Sequence, residues 1–264
     1  MREIAQSVIY WKILAGVIGM LLPVSVLFIW KRKCGKEISW KPAVVGAITF
    51  IVFAQMLEGI PKVLLFGGTT DASEYIWTHP WAYVLIGCLM AGIFEETGRY
   101  VAFRWFLKKY RNVKDAVTYG IGHGGIEAIL VMGITGFSSI AMIGAVNRGV
   151  IAELTTGMSA GQQKSLELQL ASLAGYGALQ LFLETWERVL AMTLHVALSL
   201  VVFQAVKEKK AGFVLLAILL HAVFDIPAAL YQCGILSLLV AEILLTLLVV
   251  ACSYISFRIV SGKR

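Results

Sequence analysis

Charged residues are scarce in this sequence. Only 15% of its 264 residues are charged, 59% are hydrophobic, and the mean hydropathy is +0.80. A soluble domain has about 45–50% apolar and roughly 25% charged residues. The composition therefore excludes a soluble protein and predicts an all-α polytopic membrane helix bundle. No polar stretch is long enough for a separate soluble domain, so we expect a single integral-membrane domain over residues 1–264.

Cysteine is also scarce and is spaced without pattern. The four cysteines are Cys34, Cys88, Cys233 and Cys252, and none of them forms a CxxC pair. At least two lie within apolar runs. This distribution argues against a disulfide framework and is typical of buried free thiols.

Long apolar runs dominate what is present. A membrane-spanning helix needs about 20 apolar residues. By this measure we predict seven spans, with an eighth possible, because segment 137–179 is less apolar and predicts a re-entrant or surface helix or a further span. The predicted spans are 8–30, 42–63, 81–107, 115–136, 180–205, 211–231 and 235–258.

Every second connection between the predicted spans is basic. Segments 31–41, 108–114 and 207–210 and the C-terminal tail are basic, whereas 67–80 and 231–234 contain no Lys or Arg. By the positive-inside rule this predicts an outside N-terminus and a cytoplasmic C-terminus. The net charge of +7 thus reflects membrane topology rather than binding to nucleic acid. We expect a multi-pass protein of the plasma membrane, typical of a bacterium.

Three charged residues interrupt the third predicted span, in "GIFEETGRYVAF" (92–103). Such residues cost about 2.5–3.5 kcal/mol each on insertion scales. Glu95 and Arg99 lie on one helical face, and Glu96 is close to it. The arginine can pair one carboxylate and leave the other available as a general base. The alternative is an ion-paired kink that only fixes helix packing.

Three histidines accompany these carboxylates in other predicted spans. His123 is followed by Glu127, and His221 by Asp225, each at a spacing of four that places the pair on one helical face. His195 lies near the middle of the fifth span. Each could be a packing residue, but the predicted topology brings them all to one depth, from the midplane toward the cytoplasmic half. Packing alone does not require a common depth, so we expect one polar cluster.

Other polar residues are assigned no chemistry. Their spacing predicts a Glu58–Lys62 pair and a Glu184–Arg188 pair near the outer ends of their spans. His79, before Pro80, is expected to be solvated.

This combination of residues favours hydrolysis inside the membrane. His123, His195 and His221 match a catalytic zinc site with three protein ligands and one open position for water. Alternatively, Glu95 or Glu96 activates water directly while histidines stabilise the oxyanion. The sequence lacks the HExxH motif of site-2-type proteases. It also lacks a GxSxG context for a nucleophilic serine.

The same residues also carry a family resemblance. The stretches "FEETGRY", "YGIGHGGIEA" and "HAVFD" resemble the motifs of the YhfC family of intramembrane metalloproteases. That family is more remotely similar to the CAAX-protease and bacteriocin-processing (CPBP) enzymes and to PrsW. The CAAX-type pattern is Glu-Glu-x-x-x-Arg, then aromatic-x-x-x-His, then His-x-x-x-Asn/Asp. This chain matches it at Glu95, Glu96, Tyr119, His123, His221 and Asp225, with one residue fewer before Arg99.

The resemblance implies that one of the two glutamates activates water and that His123 and His221 stabilise the transition state or bind metal. His195 and Glu127 fit the YhfC-like subset. We therefore expect an intramembrane endopeptidase with a catalytic core at 81–231, in which Arg99 orients the glutamates. Glu127 and Asp225 would be further ligands or partners of the ligands.

Zn²⁺ is the candidate cofactor, and a peptide or membrane-protein substrate and the lipid bilayer are the expected partners. The alternatives are a proton-coupled transporter, which also uses buried Glu, His and Asp, and a non-catalytic membrane scaffold. No repeated half supports the transporter.

Overall fold

Helices account for 85% of the chain in the computed structural model, and no strand occurs in the residues that it describes, 3–68, 70–151 and 155–262. This confirms the predicted all-α membrane bundle. The α-helices are α1 (Gln6–Cys34), α2 (Lys41–Phe50), α3 (Gly59–Phe66), α4 (Asp71–Thr78), α5 (Pro80–Val101), α6 (Val113–Ala128), α7 (Thr135–Asn147), α8 (Ala160–Ala174), α9 (Ala178–Glu208), α10 (Gly212–Gln232) and α11 (Leu238–Ser261).

Among the described residues, six helical segments are long and apolar enough to cross a membrane, and a seventh is formed if α4 and the segment Pro80–Phe106, bent by 110°, count as one. The prediction of about seven spans is therefore confirmed. The sequence did not predict α4, which lies in the expected loop 67–80. Its N-cap residue is Thr70, whose hydroxyl accepts a hydrogen bond from the backbone N–H of Ser73 at 3.1 Å. This capping interaction starts a helix in an otherwise polar stretch.

The fourth span extends beyond its predicted end. Helical structure continues from α6 through α7, so that Val113–Asn147 forms one run of 35 residues instead of ending at 136. The rest of segment 137–179 contains α8, whose 15 residues are fewer than the roughly 20 that a span needs. The described part of this segment therefore adds no eighth span. Residues 152–154 of the segment lie outside the described residues.

Helix α9 is at the centre of the bundle. Its most apolar 18-residue stretch is 78% buried, compared with 22–33% for the other five long spans. It packs against α6 on one side and against α11 on another, while α5 packs against α10. Leu194, Leu198 and Val202 of α9 are in the main hydrophobic core. The three histidines are on α6, α9 and α10, so this packing brings them toward the glutamates of α5.

Three segments have the wider π-helical turn: Ile51–Leu57, Ala102–Phe106 and Ile129–Ile134. Such turns are frequent at functional sites. The first lies directly before Glu58, and the second directly follows α5. A π-turn adds a residue to the winding, so positions beyond it do not follow the 3.6-residue period.

Helices α2 and α6 cross without room for a side chain at Gly122. A Cβ atom there would lie 2.1 Å from the carbonyl oxygen of Ala43. We expect Gly122→Ala to lower the free energy of unfolding by about 1–3 kcal/mol, since backbone atoms must separate. Thermal unfolding in detergent micelles measures this effect. Gly212→Ala is the control, because a Cβ atom there has no neighbour within 4 Å. Equal stability of the two variants would contradict the expectation.

Candidate active site

Glu95 of α5 lies at the point where the three histidines converge. Its Oε2 atom is 2.9 Å from Nε2 of His123, 4.0 Å from Nδ1 of His195 and 4.0 Å from Nε2 of His221. All four side chains are buried. Four helices therefore contribute to one cluster. Small residues allow this approach, because a Cβ atom at Gly124 of α6 would lie only 3.0 Å from Cδ2 of His195.

Two further carboxylates hold the histidine rings in place. Oε2 of Glu127 forms a hydrogen bond with Nε2 of His195, and Oε1 of Glu96 lies 2.8 Å from Nδ1 of His221. A neutral imidazole has one N–H and one lone pair. If each carboxylate accepts the N–H, the lone pairs of His195 and His221 face Glu95. Outer carboxylates of this kind orient metal-binding histidines in many sites.

The two adjacent glutamates have different environments. Glu96 and Arg99 are 0% exposed, and Nη1 of the arginine is 3.1 Å from Oε1 of Glu96. Nη2 of Arg99 also donates a hydrogen bond to Nδ1 of His195 at 2.9 Å. Glu95 is 7% exposed and lines a cavity, unlike Glu96. Glu95 is thus the glutamate that a substrate in this cavity could reach.

The cavity has a volume of about 430 Å³ and is lined by residues from six helices and by Glu58. Glu95, His195 and His221 are at its buried end, while Phe66, Trp77, Tyr83 and the exposed Gln232 line the other end. Asp225 also faces the cavity, with Oδ2 3.6 Å from Nε2 of His221 and a side chain that is 31% exposed. The cavity has room for a few residues of a peptide.

The cavity extends beyond the predicted core at 81–231. Glu58 and Lys62 line it, although the sequence assigned them no chemistry. Their predicted pairing is present, with Nζ 2.8 Å from Oε1. Their spacing of four residues predicts the pair. It does not predict that the pair faces the cavity, because the π-turn before Glu58 rotates the residues that follow it.

The predicted Glu184–Arg188 pair is wrong. Arg188 instead lies with Nη1 2.9 Å from Oε1 of Glu127 and also pairs with Glu187. Glu184 accepts from Lys12 at 3.3 Å and from the hydroxyl of Tyr176. Partners on α1 and α6 outcompete the neighbour one turn away, which a helical period cannot reveal.

His79 was expected to be solvated, and it is exposed, with its ring stacked on Tyr75 at 4.0 Å between centroids. It does not line the cavity.

One group of side chains offers a set of metal ligands. Ligand atoms of Glu95, His123 and His195 all lie within 4.8 Å of one another. His221 does not belong to this group, so the arrangement differs from the predicted set of three histidines. One carboxylate and two histidines are a common donor set for catalytic zinc. If Nδ1 of His195 binds the metal ion, its hydrogen bond from the guanidinium of Arg99 must break.

The charges around the cavity also fit a cation. Six carboxylates face three basic side chains, an excess of three negative charges when the histidines are neutral. Unbalanced buried charges are costly, and a divalent ion would offset two of them. The carboxylates are Glu58, Glu95, Glu96, Glu127, Glu187 and Asp225, and the basic residues are Lys62, Arg99 and Arg188.

Comparison with known proteins identifies the family. A family model described as YhfC intramembrane metalloprotease matches residues 18–246. The chain belongs to the YhfC family. A relative from Bacillus subtilis (strain 168), named "Uncharacterized membrane protein YhfC", is 37% identical over 262 residues, which cover 99% of this chain and 98% of the relative. No solved structure matches the chain. The resemblance predicted from the motifs is confirmed, and the family's description agrees with a metal at the Glu–His–His group.

Proposed function

We propose that this YhfC-family protein is an intramembrane protease, which hydrolyses peptide bonds within or near the membrane. The observation that carries the proposal is the convergence of three histidines on Glu95, which lines a cavity inside the helix bundle. The family's description as a metalloprotease supports the same reaction. A peptide or a segment of a membrane protein is the proposed substrate.

Glu95 is the proposed base. A carboxylate has two oxygens, so one can bind an ion while the other accepts the proton of the attacking water. Glu95, His123 and His195 would hold a zinc ion. When bound, zinc polarises the substrate carbonyl and lowers the pKa of water.

The remaining residues act on the substrate and on the ligands. Nε2 of His221 faces the cavity beside Glu95 and would donate a hydrogen bond to the oxyanion when it carries a proton. Asp225, 3.6 Å from that atom, would then be the counterion. Glu96, Arg99 and Glu127 are positioning residues, since they contact His221 and His195.

The charge pattern gives the orientation that we propose, with the N-terminus outside and the C-terminus cytoplasmic in the plasma membrane. In this orientation Trp77 and Tyr83, which line the exposed end of the cavity, lie toward the outer side. A substrate would enter from there.

Proteoliposomes test the proposal. We expect the purified protein to cleave peptides added as a random-sequence library, with new N-termini identified by mass spectrometry. His221→Ala should abolish cleavage while thermal unfolding still shows a folded protein. Unchanged cleavage in His221→Ala would contradict the proposed protease function. A proton flux that is lost in the same variant would favour the transporter instead.

A further inference from the structure

Glu58 is a buried carboxylate that the proposed reaction does not use. It is 1% exposed and lines the cavity. Nζ of Lys62 is 2.8 Å from Oε1, but neither carboxylate oxygen accepts a hydrogen bond of good geometry from any described residue. The side chain of Lys62 is 50% exposed. A buried carboxylate whose ion-pair partner is half-exposed is only partly compensated, so a ligand that binds it more fully would be stabilised.

The charge balance indicates the sign of that ligand. The six carboxylates and three basic side chains around the cavity leave an excess of three negative charges. A divalent ion at Glu95, His123 and His195 reduces the excess to one. When the side chain of Lys62 moves into solvent and His221 carries its proton, a single positive charge on the substrate makes the loaded cavity neutral, which is the least costly state in a low-dielectric site.

Three aromatic rings line the same cavity as Glu58. Tyr83 is edge-on to Phe66, with centroids 5.4 Å apart, and lies 5.2 Å from the ring of Trp77. All three rings line the cavity. Aromatic faces bind the apolar stem of Lys and Arg and attract their charged ends. A long basic side chain therefore suits both the rings and the carboxylate of this cavity.

We propose, on the basis of the function above, that Glu58 is a specificity-determining residue that binds a lysine or arginine side chain of the substrate peptide. Lys62 pairs with Glu58 when no substrate is bound. Its half-exposed ammonium group moves into solvent when the substrate side chain arrives.

Equilibrium binding tests this proposal without requiring cleavage. Two labelled peptides of identical apolar sequence differ at one central residue, lysine or norleucine, and bind to the full chain in nanodiscs. Fluorescence anisotropy is read before any products accumulate. We expect the lysine peptide to bind about tenfold more tightly, as for a charged hydrogen bond.

Three variants identify the residue responsible. Glu58→Gln should equalise the two affinities, and Lys62→Met should increase the preference for lysine, because it frees the carboxylate. Glu242→Gln is the matched control, since Glu242 is 5% exposed, has an unpaired Oε2 among the described residues and lines a neighbouring cavity. Its preference should equal that of the wild type.

Equal affinities in the wild type, a preference that survives in Glu58→Gln, or one that fails to increase in Lys62→Met would overturn the proposal. Lys62→Met also covers the case in which Glu58→Gln does not fold. Failure of the proposed protease function has a different signature. In that case both peptides stay intact on long incubation, whatever their affinities.

Discussion

Glu95→Gln is expected to lower the rate of peptide cleavage by at least about 10²–10⁴-fold, the range for loss of a general base, because it also removes a proposed zinc ligand. Glutamine keeps the size of the side chain and can still form a hydrogen bond with Nε2 of His123. The fold should therefore be retained. Cleavage rates and thermal unfolding, measured on the same preparation, separate the two effects.

Glu96→Gln is the informative comparison. This carboxylate is the partner of Arg99, and both side chains are 0% exposed. Its removal leaves a buried guanidinium without its counterion, which costs about 3–5 kcal/mol. We expect loss of stability together with loss of activity. If Glu95→Gln cleaved normally and Glu96→Gln were inactive but fully stable, the proposed roles of the two glutamates would be reversed.

Loss of bound metal is the second large effect that we expect. The wild-type protein should retain about one zinc ion per chain after dialysis, as for a catalytic site with three protein ligands. His123→Gln and His195→Gln should weaken zinc binding by more than about 100-fold, because each removes a ligand. Elemental analysis of the purified protein measures the zinc directly.

Other variants separate the ligands from their surroundings. Glu127→Gln should weaken zinc binding by about 10–100-fold, since Glu127 only orients His195. His221→Ala should keep its zinc and lose cleavage. His79→Ala is the control, because this exposed histidine lies outside the cavity. Full zinc occupancy in both ligand variants would show that the ion, if present, binds elsewhere.

Membrane energetics made much of this architecture predictable. Apolar runs must span the bilayer as helices, and the charge of the connections alternates with the spans. Carboxylates and histidines are too costly in lipid to occur without partners. Their common depth therefore predicted that Glu95, His123, His195 and His221 would meet, and the structure brings them within hydrogen-bonding or ion-pairing distance.

The rotation of individual helices was not predictable in the same way. Glu95 and Glu96 differ by about 100° around the helix axis, and only the packing of α5 against α10 decides which one faces the cavity. The partner of Arg188 likewise depends on α6, which brings Glu127 within 2.9 Å. Helical spacing predicts which residues of one helix lie on the same face. It contains no information about contacts between helices.

The π-turn at Ile51–Leu57 has a consequence for how this chain could change over evolution. Deleting one residue there would restore regular winding and rotate Glu58 and Lys62 by about 100°, away from the cavity. None of the residues proposed to bind zinc or move protons would be altered. A single insertion or deletion in this backbone segment could therefore change which peptides are accepted while leaving the hydrolytic chemistry intact.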